Sequence, residues 1–225
     1  AWGSGSHEFD MTRTHEIRPD LDEGIDRKVL AQLRARFMAL NEGRMARAVE
    51  GLTPRQQSVL TLLPLFFHVN HPLLPGYVSG STPAGLSNFE PDAQALAEAQ
   101  RLTRSFSYKP RPVNQPKPIH GLFLMGSLGT LAQADQSDMD VWVCHAPDLS
   151  ENEQAELRKK CQMLEAWALT MGAEAHFFLI EPTRFVLGER DTQLSSDDCG
   201  TTQHYLLLDE FYRTAIWLAG RTPIW

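Results

Sequence analysis

Apolar residues at Ile25, Val29, Leu33, Phe37 and Leu40 share one side of a 3.6-residue period, with Arg and Glu opposite, which predicts a helix over 25–49. A second helix should start at Thr53. Its hydroxyl suits the cap, Pro54 suits the first helical position, and Gln56 stands where a capping-box partner belongs. The body of that helix, 59–69, is apolar nearly all round and so belongs at the centre of a helical layer, with Pro64 kinking it or shifting its start. Repeated Pro and Gly make 72–90 a loop, and a third helix is expected over 91–106. Between Tyr108 and Pro118 stand four prolines in eleven residues, too many for a helix or a central strand. This segment reads as a linker. Its basic residues, Lys109, Arg111 and Lys117, leave two readings open: an arm that faces phosphate, or a solvated spacer.

Beyond Pro118 the period changes. Short apolar runs at 119–125, 139–144 and 173–180 read as strands. A helix over 150–171 carries Ser150 and Glu153 as a second capping box, an inner face of Leu157, Cys161, Leu164, Ala168 and Met171, and Gly172 as its stop. The stretch 188–201 reads as polar loop and 203–218 as a closing helix. The expected fold class is α+β, a helical N-terminal part packed on a small mixed sheet. The expected organisation is an appended Gly- and Ser-rich segment at 1–10, a helical part at 11–108, the Pro-rich linker at 109–118 and a catalytic core at 119–225.

Composition narrows the classes. With 225 residues, 42% hydrophobic and 22% charged, the chain has the make-up of a folded globular protein. No apolar run approaches the ~20 residues of a membrane span, and no charged start leads into an apolar segment. A net charge of −7 argues against a general nucleic-acid binder. Three widely spaced cysteines, Cys144, Cys161 and Cys199, form neither a disulfide framework nor a metal knuckle, and read as reduced thiols of a cytoplasmic protein.

The chemistry concentrates in 124–144. A strand ends at Gly126-Ser127, and after a ten-residue spacer Asp138-Met-Asp140 opens the next strand. Residues two apart on a strand point the same way, so Asp138 and Asp140 present two carboxylates on one face, while Met139, Val141 and Val143 face a core. Such a pair repels itself unless a cation lies between, and hard oxygen donors suit Mg²⁺ or Mn²⁺. Gly126 lets backbone approach a ligand closely, and Ser127 adds a hydroxyl, together half of a phosphate cradle. A phosphate cradle beside a carboxylate pair is what a nucleoside triphosphate requires.

An apolar strand, Gly-Ser, about ten residues and then Asp-x-Asp resembles the signature of the nucleotidyltransferase superfamily, the DNA polymerase beta-like fold. Ser137-Asp-Met-Asp-Val-Trp-Val-Cys-His145 resembles more narrowly the active-site strand of class I, enterobacterial-type adenylate cyclases. So do 63–77, 177–180 and 197–215, in the family's order. The resemblance implies conversion of ATP to cyclic AMP and pyrophosphate. It implies a third carboxylate on the next strand, where Glu174 is the one acid, and active-site positions at Ser127, Ser137, Asp138, Asp140 and Trp142. Ser137 would donate to phosphate or orient Asp138. The Trp142 ring would pack on the base or sugar, the alternative being a core aromatic. The family also carries a long C-terminal regulatory region linked to the sugar phosphotransferase system, which the resemblance implies lies outside this chain. Rival readings are transfer of a nucleotide to an external acceptor, and an inactive nucleotide- or partner-binding module.

Further polar residues carry paired readings. Thr202 and His204 contact the triphosphate or base, or are a helix cap and a surface histidine. Arg184 and Arg213 clamp phosphate bidentately, or pair with Asp209 or Glu210. His68 and His71 have metal-like spacing but no third ligand, which favours packed or capping roles.

Overall fold

Both expected capping boxes form, and they set where the two main helices begin. The Thr53 side chain accepts from the Gln56 amide while the Gln56 side chain accepts from the Thr53 amide, starting α2 (Pro54–His68). Ser150 and Glu153 repeat the exchange at the start of α4 (Glu151–Thr170). The computed structural model describes residues 26–125, 138–186 and 209–223. The remaining elements are α1 (Arg27–Glu50), α3 (Ala93–Leu102), β1 (Ile119–Met125), β2 (Met139–His145), β3 (Ala175–Ile180), the short α5 (Pro182–Val186) and β4 (Ile216–Gly220). Asp92 caps α3 by accepting from the Ala95 amide at 2.8 Å. Helices beside a small mixed sheet make this an α+β fold. Among the described residues no helix is long and apolar enough to cross a membrane.

The chain divides into two compact units, Ala1–Leu40 and Asn41–Trp225. In the first, the described part is the opening stretch of α1, and Leu40, expected on an apolar face, is 63% exposed. The second unit runs without division through the Pro-rich segment.

Within the second unit the sheet order is β3-β2-β1-β4. β1 pairs antiparallel with β2 and β4, and β2 pairs parallel with β3. Period-two alternation sorts side chains to two faces. Leu122, Leu124, Met139, Val141, Val143, Phe177 and Leu179 join the main core with α2 and α4. Phe123, Met125, Trp142 and Ile180 form a second cluster, with Phe185 and Phe211 packed against it.

The expected closing helix over 203–218 is corrected at its end. Residues 209–214 are helical, but Ile216–Gly220 is strand β4 on the free side of β1. Ile216-Trp217-Leu218 fits a pleated strand as readily as a helix, and partners distant in sequence decide the matter. Asn41 of α1 acts as a short strand mimic on the outer edge of β4. Its Nδ2 donates to the Trp217 carbonyl at 3.0 Å, and its Oδ1 accepts from the Trp217 amide at 2.7 Å. Arg44 donates to the Ala215 carbonyl. The one polar residue buried on α1 therefore blunts an exposed sheet edge. β4 lies close to β1 where Gly121 faces Gly220. A Cβ on Gly220, which has φ +100°, would stand 2.5 Å from the Gly121 Cα and the His120 carbonyl oxygen.

Candidate metal and nucleotide site

The two acids of the Asp-x-Asp segment stand at the start of one strand. Asp138 immediately precedes β2 and is exposed, and Asp140 lies within β2, half-buried. The parallel register pairs Asp140 with His176 and Trp142 with Phe178. Glu174 stands one residue before β3, and its carbonyl accepts from the Met139 amide at 2.8 Å, so the backbone itself ties the two strand starts together. The result is a cluster at one end of the sheet. One ligand atom each from Asp138, Glu174 and His176 lies within 4.8 Å of the others, and His176 Nε2 is 3.6 Å from Glu174 Oε1. On the other side of β2, Asp140 pairs with Met125, the last residue of β1 and the one from which the chain enters Gly126-Ser127.

The electrostatics match a cation site. Burial holds the Asp140 carboxyl above the ordinary carboxylate range. His176 pulls it down, and the charges of Asp138 and Glu210 push it further up. Burial first, and then the two neighbouring acids, disfavour the ionised form of this carboxylate, and a divalent ion would relieve this directly. The clustered donors are two carboxylates, which suit Mg²⁺ or Mn²⁺, and an imidazole nitrogen, which suits Mn²⁺ and later metals better than Mg²⁺; Asp140 lies beside them, paired with His176.

His176 was missed by the sequence reading. Its signal was present, because it sits two residues after Glu174 and so shares the facing of an acid on the same extended segment. Glu210, which acts on Asp140 through its charge, was considered only as a possible partner for an arginine.

Trp142 shares the sheet face of Asp140 but is 4% exposed. Its ring stacks on Phe211, with centroids 5.5 Å apart and planes at 18°, and meets Phe185 edge-on at 5.2 Å. It lines an apolar cavity of about 270 Å³ together with Cys144, Phe211, Tyr212 and Arg221. Arg184 is exposed on α5, where Glu181 accepts from its backbone amide. Arg213 pairs with Asp209 at 2.9 Å, one helical turn away, as its local alternative anticipated. Gly126, Ser127, Ser137, Thr202 and His204 lie outside the described residues.

The other groups singled out in the sequence take structural positions. His68 is fully buried, and its Nδ1 accepts from the Leu86 amide. His71 Nδ1 accepts from the Leu73 amide, and its ring meets Phe106 edge-on. Burial pushes the thiols of Cys144 and Cys161 up to about 12, which makes them poor nucleophiles. Cys199 lies outside the described residues.

Comparison with known proteins places the chain in a family. The family described as the adenylate cyclase NT domain matches residues 29–225. The chain is 43% identical over 199 residues to the adenylate cyclase of Escherichia coli (strain K12), covering 86% of this chain and 23% of that protein. It is 43% identical over 194 residues to the adenylate cyclase of Salmonella typhimurium (strain LT2), with the same coverage. It is 40% identical over 195 residues to that of Proteus mirabilis, covering 86% of this chain and 22% of the relative. The chain thus spans about 23% of the length of these relatives. No solved structure matches it. With the match running from the start of α1 through β4 and taking in both acid-bearing strand starts, the chain belongs to the adenylate cyclase N-terminal domain family.

Proposed function

We propose that this chain is the nucleotide-binding, catalytic part of an adenylate cyclase, which converts ATP to 3′,5′-cyclic AMP and pyrophosphate. The reading is carried by one observation: the β2–β3 register gathers Asp138, Glu174 and His176, with Asp140 paired to His176, at the sheet end where β1 runs out at Met125. In the reaction the ribose 3′-hydroxyl loses its proton, its oxygen bonds to the α-phosphorus, and the bond from that phosphorus to the β-phosphate oxygen breaks. A divalent cation, Mg²⁺ or Mn²⁺, held by these four side chains would neutralise the triphosphate and acidify the 3′-hydroxyl.

The protein's own contribution is rigidity and placement. Asp140 is fixed within a paired strand, and the Trp142–Phe211 stack buttresses the same strand two residues on. Sites on regular elements hold reacting groups more closely than sites on loops do. Gly126 and Ser127 hold the β- and γ-phosphates of the leaving group, and Ser137 orients Asp138 or donates to phosphate. The apolar cavity beside Trp142 takes the adenine, so Trp142 shapes a wall rather than offering a free face.

The test is turnover of ATP with Mg²⁺ or Mn²⁺, with products identified by mass spectrometry. Asp138→Asn and Asp140→Asn should each lower cyclic AMP formation by on the order of 10³-fold, while the unfolding midpoint changes little. A folded, active Asp→Asn variant refutes the site. A nucleotide adduct in place of cyclic AMP would assign the same acids to transfer onto an external acceptor.

A further inference from the structure

The basic residues of the Pro-rich segment play no part in the reading above. The structure gives two of them a common setting. Lys109 and Arg111 line a polar pocket of about 560 Å³, opposite Asn70, Tyr77 and Thr82 of the loop that follows α2. This pocket shares no lining residue with the acid cluster. It opens near the start of β1, whereas the acids lie past its far end, roughly 20 Å along a seven-residue strand.

Arg111 is held firmly. It donates from one terminal nitrogen to the His68 carbonyl at 3.5 Å and from the other to the Pro116 carbonyl at 3.3 Å. Its guanidinium lies against Gly85, which has φ +118°. A Cβ there would stand 3.1 Å from the guanidinium carbon and 3.0 Å from the Pro116 carbonyl oxygen, so the glycine makes room for the arginine. Yet the charge has no carboxylate partner among the described residues, and burial holds its pKa below the ordinary arginine value. Two polar atoms of the walls, Arg111 Nε and Asn70 Oδ1, are buried with no hydrogen-bond partner. A surface spacer has no need of a glycine-seated, half-buried and uncompensated guanidinium. Guanidinium beside ammonium is the usual recognition chemistry for phosphate. Glu156 of α4, which reaches this loop, is engaged by the hydroxyls of Ser79, Ser81 and Thr82, and among the described residues no carboxylate lines the pocket.

We infer that this pocket is a second ligand site, taking a small phosphate-bearing anion through Arg111 and Lys109. Each terminal nitrogen of Arg111 keeps one N–H beyond its carbonyl bond for the ligand, and the exposed lysine adds charge at the rim.

The experiment is an amide-resolved NMR titration of the whole chain with inorganic phosphate and with glycerol 1-phosphate. It is run at constant ionic strength and without divalent cation, so that the acid cluster takes no phosphate. Saturable shifts are expected at Asn70, Gly85 and Arg111. Lys109→Gln, an exposed change that leaves the fold alone, should weaken binding at least five-fold. Arg111→Lys should weaken it further if it folds. Shifts that rise linearly with concentration, saturable shifts confined to 139–141, or unchanged affinity in Lys109→Gln would each overturn the proposal. Lys109-dependent capture by phosphatidic acid vesicles without binding of either soluble phosphate would overturn the soluble-ligand assignment.

Discussion

Replacing Lys160 with methionine should stabilise this protein, and by an amount that depends on pH. Lys160 lies on α4 with 1% of its surface exposed. Its ammonium reaches one acceptor, the Gly76 carbonyl, at 3.4 Å, and sits 5.9 Å above the Phe67 ring. No carboxylate pairs with it among the described residues. Burial lowers its pKa from 10.5 to about 8. That difference of about 2.5 units corresponds to about 3 kcal/mol of destabilisation while the group is charged in both states. The sign follows from proton uptake. Below about pH 8 both folded and unfolded chains carry the proton, and the full penalty applies. Between about 8 and 10.5 the unfolded chain binds more protons than the folded one, so stability rises with pH and the penalty fades. Methionine keeps the unbranched shape and removes the charge. After allowance for the lost hydrogen bond and ring contact, Lys160→Met should gain about 1–3 kcal/mol at pH 7 and near nothing at pH 10.5. Urea unfolding of both proteins across this range measures the difference directly. Cys144 is common to both chains and cancels, and Cys161→Ala carried in both removes the thiol whose charge acts on Lys160. A methionine variant less stable at pH 7, or a gain that does not change with pH, would refute the account of Lys160 as a buried, unpaired charge.

Three further outcomes follow from named contacts. Asn41→Ala removes both hydrogen bonds to Trp217 and should cost about 2–3 kcal/mol in urea unfolding; a loss below about 0.5 kcal/mol would show that β4 does not depend on that edge cover. His176→Ala should weaken Mn²⁺ binding, followed by electron paramagnetic resonance, by roughly tenfold while weakening Mg²⁺ less; equal losses would remove the imidazole from the ligand set. Burial holds His68 and His120 below the ordinary histidine pKa, so the unfolded chain takes up protons first as pH falls. The contribution of these two histidines should therefore be complete above about pH 6.5 and decline below it, and unfolding midpoints that are flat from pH 7.5 to 5 would contradict this.

What could be read from the sequence was what depends on neighbours in the chain. Thr53 with Gln56, and Ser150 with Glu153, announce their helices because a capping box is complete within four residues. Asp138 and Asp140 could be placed on one face because strand parity needs no knowledge of what lies opposite. Residues 216–218 of β4 read as helix because local propensity does not separate the two forms there. The free edge of β1, and Asn41 from the other end of the chain, make them strand. Trp142 shows the same limit within the site. Parity gave its face, but only the fold brings Phe211 onto its ring. Leu40 marks the converse error, since a helical stripe shows that one side is apolar and not that anything covers it.

The acid cluster is harder to explain as scaffolding than as a metal site. A structural group of carboxylates would be balanced by lysine or arginine from an adjoining strand. The residue opposite Asp140 on β3 is instead His176, and the next pair along, Trp142 and Phe178, is aromatic. The charges acting on Asp140 are one histidine against Asp138 and Glu210. Carboxylates as near as 4.8 Å, the limit for Asp138 and Glu174, repel by about 1 kcal/mol in water and about 3 kcal/mol at a protein surface. Because Asp138 and Glu174 are both exposed, the lower figure governs that pair, but Asp140 is half-buried and feels more. Two responses are open to it. Without a cation it takes up a proton more readily than an ordinary aspartate, which is the direction of its shift. With one, it ionises and binds, so metal affinity and proton affinity at Asp140 must oppose each other. Neutralising Asp138 should therefore bring Asp140 back towards an ordinary carboxylate while it weakens metal binding. A scaffold of hydrogen-bonded acids would give the first effect without the second.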